Sequence, residues 1–432
     1  MTPGARAAAA VEVLTDIDAR KRPAAEALKD WGLSHRFAGS SDRAAIGNLV
    51  FDSLRARASA AFAMGATSPR ALVLRTLVTH WRLAPEEAAA LADGSRHALE
   101  PLSEAELAGL RRELPPDTPA PVKGDYPDWL GPEFERAFGA RAAEQGAALA
   151  RRAPIDLRVN TLKADRDKVL KALRRFEPTP TPHSPVGVRI APAEGPGRTP
   201  HLEAEPGHGK GWYEVQDEGS QLATLLSGAG PRQQVIDLCA GAGGKTLGLA
   251  ALMENTGQLY AYDADTLRLR PIFERLKRAG VRNVQVLPPG EREALAKLAG
   301  KMDLVLIDAP CTGSGVWRRR PDAKWRLSPG MLEARLAEQR AVLDEGAGLV
   351  KPGGRLAYIT CSVLPSENRD QVDFFLARHP EFKLVSWPEL WERALAGHPP
   401  VPSADGSAET LLMTPRDHGT DGFFVAVVQH SG

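Results

Sequence analysis

The sequence predicts an α/β protein in which a doubly wound domain follows a small α/β module and an all-α domain. From residue 234 onward, short apolar runs typical of strands alternate with helical patterns, which indicates parallel strands joined by helices. Before about Leu114, apolar residues recur only at helical spacing. The 432 residues are enough for two or three domains of ordinary size.

Composition excludes several classes of protein. The apolar fraction of 43% and the charged fraction of 25% are close to the average of soluble domains, and no apolar run is long enough to cross a bilayer. Glu12, Asp16 and Asp18 interrupt the first apolar stretch, so we expect no signal peptide and a cytoplasmic protein. No cysteine belongs to a CxxC pair, so neither a metal site nor a disulfide framework is expected.

The all-α domain is predicted over residues 1–118, with about five helices. Ser103 and Glu106 form a capping box that begins its last helix, and Pro115 ends that helix. Five prolines between 115 and 127 predict a linker to the next domain.

The small α/β module is predicted over residues 126–230. Its expected elements are a helix at 133–152, a strand at 157–160, a helix at 165–176 and a strand at 187–190. Eight prolines between 178 and 206 indicate a long surface loop, a common carrier of binding contacts.

The doubly wound domain is predicted over residues 231–432. Its expected strands are 235–238, 259–262, 284–287, 304–307, 356–360 and 423–428. A parallel sheet of this kind binds ligands beyond the carboxyl ends of its strands. The residues that follow each strand are therefore the candidate site.

A glycine-rich turn follows the first of these strands. The candidate cofactor contacts in it are Cys239, Ala240, Gly241, Ala242, Gly243, Gly244 and Lys245. A P-loop would need glycine where Cys239 stands, and a dinucleotide fingerprint would need its third glycine at Thr246. The loop favours a different nucleotide-like cofactor, and a tight turn without a ligand is the alternative.

Asp263 ends the second strand, about 20 residues after the loop, where a carboxylate reaches ribose hydroxyls in doubly wound folds. Asp265 is a rival for that role because it lies only two residues further along.

Two cysteines lie just after neighbouring strands. Asp308 and Cys311 follow the fourth strand, and Cys361 follows the fifth. A single cysteine there is usually a small buried apolar residue. Two of them at adjacent strand ends, beside a carboxylate, favour a reactive pair instead.

Basic residues are concentrated in two segments. Residues 151–177 contain nine Lys/Arg against four Asp/Glu, and residues 317–326 contain five against one. Such segments suit phosphate groups, and a solvated basic face is the alternative.

The glycine-rich loop, the Asp308–Cys311 element and Thr360-Cys361-Ser362 together resemble the RsmB/Sun-like RNA 5-methylcytosine methyltransferases. Further matches are 157–162 (LRVNTL), 216–218 (QDE), 318–325 (RRRPDAKW) and 421–424 (DGFF). The resemblance covers about Tyr126 to the end, and the all-α domain is similar to the NusB-like RNA-binding domain of that family. It implies a Rossmann-like S-adenosylmethionine methyltransferase domain after an RRM-like α/β module.

The resemblance also implies a chemistry for the site. Carbon 5 of cytosine is a poor nucleophile until a thiolate adds at carbon 6. The family pattern assigns this addition to Cys361 and the release of the product to Cys311. Asp308 would stabilise the protonated pyrimidine at nitrogen 3 and border the cofactor, S-adenosyl-L-methionine, and Lys245 would favour ionisation of the thiol.

The candidate RNA contacts are Arg158, Arg318, Arg319, Arg320, Lys324 and Trp325. Two departures from the family pattern matter. Gly241-Ala242 replaces the usual Ala-Pro, and the third strand ends in Leu-Pro-Pro-Gly at 287–290 where the family has an acidic residue near the adenine. No residue is assigned to that role.

We therefore expect a monomeric enzyme that methylates carbon 5 of a cytidine in small-subunit ribosomal RNA. A tRNA cytosine-5 methyltransferase is the alternative within the enzyme class. A non-catalytic RNA-binding ribosome-assembly factor is the alternative outside it.

Overall fold

A computed structural model describes residues 1–432, which form two compact units. The first comprises Met1–Ala153, Pro192–Pro200 and Trp317–Leu327; the second comprises Pro154–Ala191, His201–Val316 and Ser328–Gly432. The predicted boundaries at 118, 126 and 230 do not coincide with this division. The three-domain scheme stays a proposal.

Helices make up the first unit. Ten of them precede Pro154: α1 (Pro3–Arg20), α2 (Ala24–Ser34), α3 (Ser40–Arg55), α4 (Arg57–Met64), α5 (Pro69–Thr79), α6 (Pro85–Ala90), α7 (Glu104–Arg111), α8 (Ala120–Lys123), α9 (Gly131–Phe138) and α10 (Ala142–Leu149). Leu14, Leu49 and Leu74 from α1, α3 and α5 lie in one buried core. The predicted capping box is present, because Ser103 N–H donates to Glu106 Oε2 at 2.9 Å.

Seven helices precede Pro115, so the predicted number of about five was too low. α3 and α4 are separate because the backbone leaves the helical conformation at Ala56. The predicted helix at 133–152 likewise divides into α9 and α10, where Gly139 takes a positive φ of 55°. The spacing of apolar residues along the sequence does not reveal such short interruptions of a helix.

The proline-rich stretch 115–127 is not an open linker. Pro119, Pro121 and Pro127 lie in or just before short helical turns, a position that suits their fixed φ. Tyr126 is 2% exposed, and its ring stacks on Phe134 with centroids 4.0 Å apart. Composition predicted a turn-rich segment, and packing against α9 orders it.

The small α/β module opens the second unit. Its elements are β1 (Ile155–Val159), α11 (Arg166–Ala172), β2 (Thr179–Pro180), β3 (Gly187–Ile190), α12 (Pro206–Gly209), β4 (Tyr213–Val215) and α13 (Glu218–Leu226). The four strands form an antiparallel sheet in the order β2-β3-β1-β4. β2 and β4 were not predicted, because two or three residues are too short for an alternating pattern.

The doubly wound domain follows. Its elements are β5 (Gln234–Asp237), α14 (Gly244–Leu252), β6 (Gln258–Ala261), α15 (Thr266–Leu269), α16 (Ile272–Ala279), β7 (Val284–Val286), α17 (Arg292–Ala296), β8 (Met302–Asp308), α18 (Pro321–Arg326, in the first unit), α19 (Pro329–Ala347), β9 (Val350–Thr360), α20 (Arg369–Arg378), β10 (Phe382–Val385), α21 (Trp387–Ala394), β11 (Leu411–Met413) and β12 (Phe423–His430). All six predicted strands are present. No helix combines the length and apolar character that a membrane span requires.

The main path of the sheet has the order β10-β12-β9-β8-β5-β6-β7. Its five strands from β9 to β7 are parallel, as predicted. β12 differs from the prediction: it runs antiparallel to β9, with Phe424 opposite Thr360. Because the connections leave β5 and β8 in opposite directions, the carboxyl ends of these two strands open into a crevice.

Candidate active site

Two thiols meet at this crevice. β8 and β9 are neighbours with Asp308 opposite Ile359, so Cys311 and Cys361 emerge side by side. Their Sγ atoms are 3.4 Å apart, and both cysteines are free. The structure thus brings together the two residues that the sequence singled out.

The environment of Cys311 favours the neutral thiol. The hydrogen bond with Cys361 and, next, burial raise the pKa of Cys311 well above its ordinary value. Loss of the hydrogen bond with Cys361 would therefore remove the largest cause of the raised Cys311 pKa.

Lys245 and Asp308 form an ion pair beside the thiols. Lys245 lies in the first turn of α14, and its Nζ is 2.7 Å from Asp308 Oδ2. The Lys245 side chain is 5% exposed, whereas that of Asp308 is 35% exposed. Nζ also lies 5.2 Å from the centroid of the Phe423 ring, which gives the DGFF segment a place in the site. The Asp308 carboxylate is therefore held in position by Lys245 and stays accessible from the crevice.

The glycine-rich turn is shaped as its composition predicts. Gly241 and Gly243 take positive φ values of 50° and 84°, which glycine adopts readily. Gly241 N–H donates to Asp263 Oδ2 at 2.8 Å, so the loop and the end of β6 are joined. Asp265 caps α15 by accepting from Leu267 N–H at 2.8 Å. Asp263 Oδ1 likewise accepts from Asp265 N–H at 2.8 Å, so both carboxylates stay candidates for a ribose contact.

A cavity of about 660 Å³ lies beside this loop. Its lining includes Leu238, Cys239, Tyr262, Asp263, Asp265, Arg268 and Pro310. Burial raises the pKa of Cys239 well above its ordinary value, so this third thiol lines the cavity in neutral form. The volume lies within the range of cofactor sites, about 300 to 1,000 Å³.

Residues 287–290, where the family has its acidic residue, do not line this cavity. α19 contributes two carboxylates to it instead, those of Glu338 and Glu345. Sequence reasoning missed them, because a helix distant in sequence gives no local signal of a shared cavity.

Three of the predicted RNA contacts are wrong as surface contacts. Arg158, Arg318 and Lys324 are 6%, 5% and 1% exposed. Arg319 is half-buried and Arg320 is exposed, so the basic run presents only part of its charge to solvent.

The burial of Arg158 and Lys324 has a structural cause. Arg158 extends from β1 to α14, where a β-carbon at Gly248 would lie only 2.2 Å from its Nη1. Lys324 Nζ donates to the carbonyl oxygens of Arg55, at 2.9 Å, and of Asp125. Burial lowers the pKa of Lys324 to about 7 and that of Arg158 to about 10.

Trp325 is partly buried beside Lys324. Its Nε1 donates to the carbonyl oxygen of Leu54 at 2.6 Å. The indole thus serves packing within the first unit rather than an open stacking surface.

No group of three or more His, Cys, Asp or Glu side chains in residues 1–432 is arranged to hold a metal ion. Other polar groups near the thiols are Thr312, Ser314, Ser362, Glu367 and Asn368, none of which was assigned a role from the sequence. Ser314 Oγ and Ser362 Oγ lie 2.8 Å apart. They link the Cys311 loop (residues 309–316, after β8) to the Cys361 loop (residues 361–364, after β9).

Two family models match the chain. Residues 224–429 match the model described as 16S rRNA methyltransferase RsmB/F, and residues 126–194 match the ferredoxin-like domain of RsmF/B-like methyltransferases. The second match agrees with the sheet of the small module.

Individual proteins agree with these models. "Ribosomal RNA small subunit methyltransferase B" of Sodalis glossinidius is 32% identical over 361 residues, which are 81% of this chain and 78% of that protein. "Probable ribosomal RNA small subunit methyltransferase B" of Synechocystis is 33% identical over 309 residues, 70% of this chain and 66% of that protein. The crystal structure of PH0851 superposes with a TM-score of 0.73 at 25% identity, covering 99% of both chains.

Proposed function

The chain belongs to the RsmB/F family of 16S rRNA methyltransferases, and on that basis we propose that it transfers a methyl group from S-adenosylmethionine to carbon 5 of a cytidine in small-subunit ribosomal RNA. The observation that carries the proposal is the 3.4 Å separation of Cys311 and Cys361 beside the Lys245–Asp308 ion pair. One thiol is enough for a structural role. Two thiols and a carboxylate suit a covalent mechanism with separate addition and release.

Cys361 is the proposed nucleophile. Its thiolate adds to carbon 6 of the cytosine, and the electron pair of the 5,6 double bond makes carbon 5 nucleophilic. S-adenosylmethionine, when bound, supplies an electrophilic methyl group. Asp308, held by Lys245 and partly exposed, is placed to stabilise the protonated nitrogen 3 of the ring.

Cys311 is the proposed release base. It takes the proton from carbon 5, the carbon–hydrogen electron pair restores the 5,6 double bond, and the carbon–sulfur bond breaks so that its electrons return to Cys361. Once the Cys361 sulfur is bonded to carbon it carries no charge, so the coulombic contribution of Cys361 to the raised Cys311 pKa is removed. Addition therefore prepares the base that release requires.

The cofactor would lie in the cavity beside the glycine-rich loop. The cavity volume and the carboxylate of Asp263 fit a nucleoside, and of the predicted loop contacts Cys239 is the one that lines the cavity. Glu338 and Glu345 offer the carboxylates that residues 287–290 lack.

The first testable prediction concerns Gly243→Ala. A β-carbon there would lie 2.5 Å from Ile272 Cγ1, and the φ of 84° is unfavourable for alanine. We expect S-adenosylhomocysteine affinity to fall by about tenfold, which corresponds to about 1.4 kcal/mol, because the clash with Ile272 displaces the glycine-rich loop beside the cavity. Calorimetry measures the affinity, and Gly230→Ala, with no atom within 4 Å of its added carbon, is the matched control. Equal affinities in the two variants would contradict this placement of the cofactor.

RNA recognition is proposed for the all-α NusB-like domain, residues 1–118, and for Arg319 and Arg320. The second prediction is that Arg320→Ala weakens RNA binding a few-fold whatever the sequence of the RNA. The slope of log affinity against log salt concentration should become shallower by about one, as expected for a lost phosphate contact. Filter binding over a salt series checks it. Lys383→Ala, exposed on β10, is the control, and an unchanged salt slope for Arg320→Ala argues against a phosphate contact.

The function is tested by incubating the full chain with tritiated S-adenosylmethionine and, in parallel reactions, unmethylated small-subunit rRNA or unmethylated tRNA, then identifying the labelled nucleoside. We expect 5-methylcytidine. Label in tRNA alone would favour the tRNA methyltransferase alternative. No label in any RNA would favour a non-catalytic ribosome-assembly factor.

A further inference from the structure

A buried glutamate lies beneath the Cys311 loop. Glu367 ends the helical turn Pro365–Glu367 that follows Cys361, and its side chain is fully buried. Its Oε1 accepts from Thr312 N–H at 2.8 Å, and its Oε2 accepts from the Thr312 hydroxyl at 2.5 Å. The carboxylate thus holds the residue immediately after Cys311 by two atoms.

Gln339 of α19 completes this arrangement on the other side of Cys311. Its Nε2 donates to the carbonyl oxygen of Pro310 at 2.9 Å and to Glu367 Oε1 at 3.1 Å. The residue after Cys311 is therefore bonded to the Glu367 carboxylate directly, and the residue before Cys311 is linked to it through Gln339. The backbone of Glu367 is itself fixed, since Tyr358 Oη donates to its carbonyl oxygen at 2.7 Å.

Burial of this carboxyl group is costly unless donors compensate it. Burial raises the pKa of Glu367, and the bonds from Ser362, Thr312 and Gln339 oppose that rise. An apolar residue could fill the same volume at less cost. A role tied to the loop that it holds explains why a carboxylate is there.

The next residue serves the other thiol. Asn368 Oδ1 accepts from the Thr360 hydroxyl at 2.6 Å, and Asn368 Nδ2 donates to the carbonyl oxygen of Ser362 at 2.9 Å. These contacts flank Cys361. Asn368 therefore holds the Cys361 loop, whereas Glu367 holds mainly the Cys311 loop and accepts one further hydrogen bond from Ser362.

From these contacts we propose that Glu367 is a positioning residue for Cys311 and acts on the release of the methylated product. The inference rests on the proposed function. Glu367 keeps the Cys311 sulfur within reach of the proton on carbon 5, and without it the loop loses the two hydrogen bonds that Thr312 donates to the carboxylate. Proton removal then slows, while addition at Cys361 is retained.

The experiment compares Glu367→Ala with Asn368→Ala in the full chain, using S-adenosylmethionine and unmethylated small-subunit rRNA. For Glu367→Ala we expect about tenfold slower turnover and a matching rise in denaturant-resistant protein–RNA adduct, because a misplaced group slows only its own step. For Asn368→Ala we expect slower turnover with less adduct. Exposed Glu333→Ala on α19 should match the unmodified protein.

Two further variants distinguish a positioning role of Glu367 from a general loss of structure. Glu367→Gln keeps an uncharged hydrogen-bonding group and should restore part of the release rate. Thr312→Val removes the hydroxyl partner at similar volume and should also raise the adduct, which keeps the inference testable even if Glu367→Ala fails to fold.

The inference is overturned if Glu367→Ala and Thr312→Val lower turnover without raising the adduct, or leave both unchanged. S-adenosylhomocysteine affinity and thermal unfolding, measured in parallel, identify a general loss of structure. If the unmodified protein transfers no methyl group, the proposed function fails. If it does transfer one and only the variants deviate from expectation, the role of Glu367 alone fails.

Discussion

Replacing Cys361 by alanine is expected to abolish methyl transfer, with turnover falling by about three orders of magnitude or more, since loss of a covalent nucleophile removes the route that activates carbon 5. The Cys361 sulfur lies 3.4 Å from Cys311 at the end of β9. Cys239, the third cysteine, lines the cofactor cavity, and burial holds it neutral.

Tritium transfer to unmethylated rRNA measures this effect. S-adenosylhomocysteine affinity should be preserved in Cys361→Ala, which separates loss of chemistry from loss of the fold. Turnover within tenfold of the unmodified protein would mean that addition at carbon 6 uses another group.

Replacing Cys311 by alanine is expected to make the covalent protein–RNA intermediate accumulate, whereas Cys361→Ala cannot form it. Addition and methyl transfer proceed, but no base takes the proton from carbon 5, so the protein stays bonded to its RNA. We expect a denaturant-resistant adduct in a large fraction of the protein and turnover reduced by about 100-fold or more, the scale of a lost general base.

Gel electrophoresis in denaturant detects this adduct. The double variant Cys311→Ala/Cys361→Ala is the control and should form none. An adduct that forms with Cys361→Ala and not with Cys311→Ala would reverse the two roles.

The sequence predicts most of the fold because its signals are local. The parallel strands are short segments rich in apolar residues, and the turn at Gly241–Gly244 needs glycine for its backbone. Neighbouring positions of Cys311 and Cys361 follow from the order of the parallel strands. β10 and β11 were missed because they are short and run among polar and proline-rich segments.

The rest depends on contacts between residues distant in sequence. Lys324 lies in a basic run typical of a phosphate-binding surface, yet carbonyl oxygens of Arg55 and Asp125 receive its ammonium in the interior. Glu367 carries no pattern at all, since its partners Thr312 and Gln339 are 55 and 28 residues away. Only the fold shows that it lies against the Cys311 loop.

The most direct test of the two-cysteine account is to map the covalent bond in the trapped Cys311→Ala adduct. After digestion of protein and RNA, mass spectrometry locates the residue that carries the nucleotide. The account predicts a methylated cytidine attached to the peptide that contains Cys361. A nucleotide attached to any other residue, or no attached nucleotide while methyl transfer continues, would contradict it.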